Sequence, residues 1–286
     1  MQPSHFVTGE WLWEPDKSIG MWGPWSRHYP LSEALDKRFL DIARTLDEES
    51  TKRKLKLVLT VSDEAGAHAW TIKGAQHYFQ LIKDKLPHVT RELTVGGGWA
   101  MRVPEHEIWK GLIHVWTTNR WLPDKIEIVR KDDPNAQIQL YNMGGPGSGP
   151  GGTGSSRNLY GFFAWKAQAA GMAQWVYGDD DSHSHVWTAK EKDGGPVPTV
   201  HWEAIREGAK DRQYIATLEK AIEGRSGTHV EQAKVLLKEI SDTIILSTEN
   251  REYDPIEGGK IPAPKAGVFE QWRQKIAAQI IALEAK

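Results

Sequence analysis

Asp63 and Glu64 are adjacent carboxylates placed just beyond Leu55-Lys56-Leu57-Val58-Leu59-Thr60-Val61, a short, apolar, β-branched run that reads as an interior strand. Ser62-Asp63-Glu64-Ala65-Gly66 breaks the run, and an apolar pattern with helical spacing follows from Trp70 to Leu86. A strand that ends on carboxylates and feeds a helix is a βα unit, and in a barrel of such units catalysis sits at the C-terminal rim. There a carboxyl group can be partly desolvated and its pKa tuned for proton transfer. The plainer reading is that Asp63 caps the following helix and Glu64 is solvated in its first turn. The local sequence leaves both readings open.

Other strand ends carry polar and aromatic groups: Trp116 and Asn119, Tyr141 and Asn142, Trp175 and Tyr177. A sugar site would use such groups, although every second residue of a barrel strand also points into the barrel core. Glu14, in Trp13-Glu14-Pro15-Asp16, is a further carboxylate that could pair with Glu64. The glycine-rich stretch from Gly144 to Ser156 lies between a strand and a helix but lacks the lysine that a phosphate loop places before its Ser/Thr. It reads as a loop over the rim. Asp179-Asp180-Asp181-Ser182-His183-Ser184-His185 matches no zinc or calcium spacing and reads as a solvated loop. No metal and no cofactor is expected.

The chain has 286 residues, 14 of them tryptophan, and no cysteine, which excludes disulfides and thiolate chemistry. Indole faces stack on the apolar faces of sugar rings. They also stack on nucleobases, but a base-binding groove needs a basic track. A net charge of −2 supplies no such field for nucleic acid or anionic lipid. No stretch has the length and apolarity of a membrane helix, and the N-terminus shows no signal-peptide pattern.

The elements that must position these residues alternate. Helices are expected at 31–46, 66–86, 104–110, 122–130, from Ser155 or Ser156 to Ala170, and at 200–222, 230–247 and 268–285. Strands are expected at 55–61, 89–95, 112–118, 136–141 and 172–177, with a sixth around Trp11-Leu12-Trp13. Such alternation demands a parallel sheet. No dinucleotide fingerprint follows a strand. The fold class is therefore α/β, a TIM-type (β/α) barrel that is short or incomplete at its N-terminus, because a full barrel needs eight strands. Residues 1–225 would form the barrel and 226–286 a C-terminal helical extension. A missing segment or a second copy would complete the barrel.

Asp63-Glu64 after an apolar strand resembles the Asp-Glu pair of glycoside hydrolase family 123, the β-N-acetylgalactosaminidases. Gln139-Leu140-Tyr141-Asn142 is similar to that family's strand ending in Tyr-Asn. Arg157 to Tyr177, with Trp165-Lys166, Gly171 and Trp175, is similar to its helix-then-strand segment. Pro198 to Tyr214 resembles its final-helix motif, in which Arg206-Glu207-Gly208 leads to Asp211 and Tyr214. The resemblance spans roughly 31 to 286. One departure is Ala65-Gly66, where the family usually has proline after the Glu.

The resemblance implies a retaining, substrate-assisted cleavage of terminal β-linked N-acetylgalactosamine or a related 2-acetamido sugar, outside the usual two-carboxylate scheme. Glu64 would protonate the leaving oxygen and then activate water. Asp63 would stabilise the acetamido nitrogen while the acetamido oxygen attacks the anomeric carbon. Position suggests Tyr141 for the acetamido oxygen and Trp116 and Trp175 as walls. Asn119, Asn142 and Tyr177 complete the expected substrate-binding set. Neighbouring strand residues face opposite ways, so both carboxylates can face substrate only if the chain has left regular strand geometry at Ser62. The expected partner is a glycan, with neither nucleic acid nor membrane. The family implies an extracellular or periplasmic protein. Two alternatives stay open: a two-carboxylate glycosidase pairing Glu64 with Glu14, and a non-catalytic carbohydrate-binding protein.

Overall fold

The structure is a computed structural model and describes residues 4–7, 31–61, 69–95, 106–118, 121–141, 152–173, 188–190, 196–246, 264–265 and 267–285. The chain is an α/β protein. Six strands form one sheet: β1 (Ser4–Val7), β2 (Lys56–Thr60), β3 (Thr90–Val95), β4 (Val115–Thr118), β5 (Gln137–Tyr141) and β6 (Gly171–Ala173). Their order in the sheet is their order in the chain, and β1–β2, β2–β3 and β3–β4 pair in parallel. This is the strand series of a partial (β/α) barrel. The strand at Ser4–Val7 was not foreseen, and the one expected around Trp11 lies outside the described residues. A separate antiparallel pair joins β7 (Thr188–Lys190) to β8 (Pro196–Pro198). The chain divides into two compact units, 1–139 and 140–286. The boundary expected at 225/226 falls inside the second.

In the first unit the helices are α1 (Glu33–Lys52), α2 (Ala69–Lys85) and α3 (Pro123–Asp132). Ser32 begins α1 because its hydroxyl accepts from the Leu35 amide at 3.3 Å, satisfying one of the four N-terminal donors that have no helical partner. Pro123 opens α3, where its fixed φ suits the first turn. Tyr78, Phe79 and Ile82 of α2 are buried, with Tyr78 against Phe39 of α1 and Phe79 edge-on to Trp109. Burying a side chain of this size stabilises by about 2 kcal/mol. The expected helix at 104–110 is, among the described residues, only a 3-10 turn at Glu107–Trp109. The strand expected from Leu112 begins at Val115, because Gly111 (φ 70°) turns the chain and Leu112 N–H bonds back to Trp109.

The second unit is helical around α6 (Val200–Ile222). Thr199 caps it through the Trp202 amide at 3.3 Å. Against it pack α4 (Gly152–Asn158), which continues as a π-helical turn at Leu159–Phe163 and then α5 (Ala164–Lys166), and α8 (Val268–Glu284). Ser155 and Ser156 were expected to cap this first helix. They lie inside it, because Gly152 already begins it. The backbones of α4 and α6 touch: a Cβ at Gly208 would meet the Arg157 carbonyl oxygen at 2.4 Å and the Tyr160 Cβ at 3.0 Å. A wide π turn carrying Gly161 accommodates this approach.

Beside that contact, Asp211 is 1% exposed and gripped by two guanidinium groups. Arg157 Nε donates to it at 2.7 Å and Arg273 Nε at 2.6 Å. Arg273 also donates to Glu207 at 2.7 Å, and Arg157 pairs with Glu270. Hydrogen bonds from Lys210 and Arg273 push the Glu207 pKa down to about 2. Nearby, Phe162 and Phe269 stack and Trp272 meets Phe162 edge-on. The Lys166 ammonium donates to the carbonyls of Ser241 and Ile244, both at 2.7 Å, closing the C-terminal end of α7 (Thr228–Thr243).

Gly208→Ala is expected to destabilise the chain by about 1–3 kcal/mol, read by chemical denaturation, because the obstructing atoms are backbone. Glu207 gives a pH test. A carboxylate whose folded pKa lies below its unfolded value of 4.5 contributes stability above that value and loses it as pH falls toward about 2. The melting temperatures of wild type and Glu207→Gln should therefore differ at pH 6 and converge as pH falls from about 4.5 to about 2.

Candidate functional site

A side chain on a strand has two faces to choose from. In a sheet of sequential order, right-handed connections all lie on one face. In the first unit that face carries Leu57, Leu59, Leu93, Val95 and Ile138, all buried. Contacts into the β3–β4 connection identify it: Arg91 Nε donates to the Leu112 carbonyl at 2.5 Å, and the Trp116 ring lies 5.7 Å from His106.

The other face, which is the interior face in a (β/α) barrel, has different chemistry. Val58 and Val115 are buried apolar residues on it, and Phe6 of β1 is the register partner of Val58. Register places Thr60 beside Glu92, Glu92 beside Val115, and Thr94 beside Thr117. Thr117 donates to the Gln139 side chain at 3.4 Å, extending the row to β5. Thr94 Oγ1 donates to a Glu92 carboxylate oxygen at 3.1 Å. Thr60, Glu92 and Thr117 are buried, and Thr94 and Gln139 are half-buried. A packed barrel interior is dominated by Val, Ile and Leu. Thr60, Glu92, Thr94, Thr117 and Gln139 instead form a row of hydrogen-bonding groups toward the C-terminal ends of the strands, able to hold a polar ligand.

The expected catalytic pair, Asp63 and Glu64, lies outside the described residues, as do Glu14, Asn119, Asn142, Trp175, Tyr177 and the Asp179–His185 loop. What is described is their approach: β2 ends at Thr60 and Val61 stands outside the strand. Tyr141 ends β5, with only its backbone described. Trp116 is 2% exposed and, as register partner of Leu93, sits on the connection face rather than in the polar row. Glu92 was missed. Its signal was the alternation in Thr90-Arg91-Glu92-Leu93-Thr94-Val95, which sets Glu92 and Thr94 on one face against Leu93 and Val95 on the other.

Two other polar groupings point elsewhere. Arg91 is 3% exposed, and its Nη2 donates to His114 Nε2 at 2.9 Å. Burial, and then the Arg91 charge, hold the His114 pKa below its usual value. This pair lies at the starts of β3 and β4, away from the C-terminal ends. His106, Glu107 and Asp132 bring an imidazole and two carboxylates within 4.8 Å, but Lys110 Nζ lies 3.2 Å from Asp132 and supplies a cation there.

Fold and polar row together define a partial (β/α) barrel with a hydrogen-bonding interior face. No protein-family model matches the chain, and no curated protein matches it by sequence. Among solved structures, its fold is similar to that of a family 123 glycoside hydrolase from Clostridium perfringens, from a study of glycolipid glycan hydrolysis. The TM-score is 0.51 at 10% identity, over 90% of this chain and 46% of that one. The chain thus spans less than half the length of this neighbour, and the likeness is one of fold.

The polar row also makes a stability prediction. Thr94→Val with Thr117→Val should lower the unfolding free energy by about 2 kcal/mol or more, because each hydroxyl bond is worth about 1 kcal/mol and the Thr94 change also takes a donor from the buried Glu92 carboxylate. Urea denaturation would read the change.

Proposed function

We propose that the protein is a glycoside hydrolase acting on a terminal β-linked 2-acetamido sugar, N-acetylgalactosamine or a close relative, by the substrate-assisted route. The observation that carries the reading is the end of β2. The strand stops at Thr60, three residues before Asp63, beside a sheet face rich in hydrogen-bonding groups. The likeness of fold to a family 123 glycoside hydrolase supports a glycosidase in general.

In this reading Glu64, protonated, gives its proton to the glycosidic oxygen as the bond to the anomeric carbon breaks. The substrate's acetamido oxygen attacks that carbon and forms an oxazolinium ion. Asp63 accepts the acetamido N–H and balances the positive charge developing there. Glu64, now ionised, takes a proton from water as it opens the ring. The product keeps the β configuration. Adjacent carboxylates suit this route, because neither has to reach the opposite face of the sugar as a nucleophile.

The test is turnover of an aryl 2-acetamido-2-deoxy-β-D-galactoside, its gluco analogue and the 2-hydroxy galactoside by wild type, Glu64→Gln and Asp63→Asn. Cleavage of the acetamido sugars alone, reduced about 100- to 10,000-fold in Glu64→Gln, is expected. Equal cleavage of the 2-hydroxy galactoside would overturn the substrate-assisted route. No cleavage of any of them by the folded chain would overturn the hydrolase reading.

A further inference from the structure

Arg91 and His114 face each other where β3 and β4 begin, and the reaction written above makes no use of them. We propose that the pair is an acid-sensitive latch. With a neutral imidazole it holds the starts of β3, β4 and β5 together, and protonation of His114 opens it. This goes beyond the glycosidase reading and does not depend on it.

The backbone shows what the latch closes. His114 N–H donates to the Arg91 carbonyl, and the His114 carbonyl accepts from the Gln137 amide, both at 2.9 Å. His114 thus ties β4 to both of its neighbours. The Arg91 side chain adds a strap: Nε donates to the Leu112 carbonyl at 2.5 Å, and Nη1 reaches the Val89 carbonyl at 3.4 Å. Arg91 thereby holds β3 to the turn that Gly111 makes before β4.

The ring supplies the trigger. Arg91 presents a donor to each imidazole nitrogen: its main-chain N–H lies 3.2 Å from Nδ1, and Nη2 lies 2.9 Å from Nε2. A neutral imidazole accepts at one nitrogen, and an imidazolium at neither. Protonation therefore removes the acceptor and sets two ring N–H groups against two donors. Arginine does not yield its proton in a protein, so the conflict cannot be relieved from the Arg91 side.

The surrounding charges point the same way. Burial opposes the charged ring most, followed by Arg91; Lys56 on β2 and Lys83 on α2 add to it. Asp133, just beyond α3, acts in the other direction without reversing the balance. His77 and His88 differ, because each faces a carboxylate: Asp36 at 2.7 Å and Asp47 at 2.8 Å. The folded-state pKa of His114 lies below the ordinary 6.5, so the unfolded chain takes up the proton first. The latch contributes fully above 6.5, and its contribution is lost as pH falls from 6.5 toward the folded value.

The experiment follows the His114 ring by NMR titration. It also follows amide hydrogen exchange at about pH 7 and about pH 5, corrected for intrinsic rates, in wild type and His114→Gln. Glutamine offers Arg91 an acceptor that does not titrate. The ring should titrate below 6.5. In wild type, protection at the starts of β3 and β4 should fall about fivefold or more at the acid pH, with α2 less affected. In His114→Gln it should hold. A ring that titrates at or above 6.5 overturns the latch. So does wild-type protection that does not change, that falls equally in α2, or that falls as much in His114→Gln. If His114→Gln fails to fold, the ring titration and the wild-type comparison of strand starts with α2 decide by the same criteria.

Discussion

The period of a β-strand governs this molecule. Two directions are open to each side chain, and in a parallel sheet of sequential order the connections claim one of them. Leu93 and Val95 meet that demand on β3, and Leu57 and Leu59 on β2. The residues between them are then free of the requirement to be greasy. Thr60, Glu92, Thr94 and Thr117 occupy that freedom. Most of the apolar cohesion of the first unit therefore lies between sheet and helices, which lets the opposite face carry hydrogen-bonding groups.

The second unit rests on a different interaction. Asp211 draws Arg157 and Arg273 from two other helices onto α6, and Gly208 lets α4 come close enough for Arg157 to reach it. A buried charge of this kind contributes little net stability over an apolar replacement, but removing one partner strands the others. Its contribution is to geometry: three helices are fixed in one register by directed bonds, with the Phe162, Phe269 and Trp272 rings packed nearby.

Much of this was legible in the sequence, unevenly. Helix α6 was read at its observed bounds, 200 to 222, from the sequence pattern. The caps at Ser32 and Thr199 follow from local chemistry alone. Ser155 and Ser156 misled because glycines precede them, and tertiary packing holds those glycines in helix against their intrinsic preference. Arg157 and Arg273 lie 54 and 62 positions from Asp211, and no local pattern reports such partners. The motif Arg206-Glu207-Gly208 to Asp211 and Tyr214 was the most specific part of the family resemblance. The structure gives Glu207, Gly208 and Asp211 helix-packing work, so its specificity speaks for fold. Glu92 was written plainly in an alternating strand. Alternation separates two faces without saying which one meets the helices, and Glu92 could be weighed only once Arg91 and Trp116 had identified the connection side.

The polar face has a thermodynamic consequence as well as a chemical one. Heat capacity rises when apolar surface meets water and falls when polar surface does. Unfolding the first unit uncovers hydroxyls, an amide and a carboxylate where a filled barrel would uncover valine and isoleucine. Its heat-capacity increment should be smaller than its length implies, and its stability curve correspondingly broad. The face suited to a polar ligand thus also makes the fold less sensitive to cold.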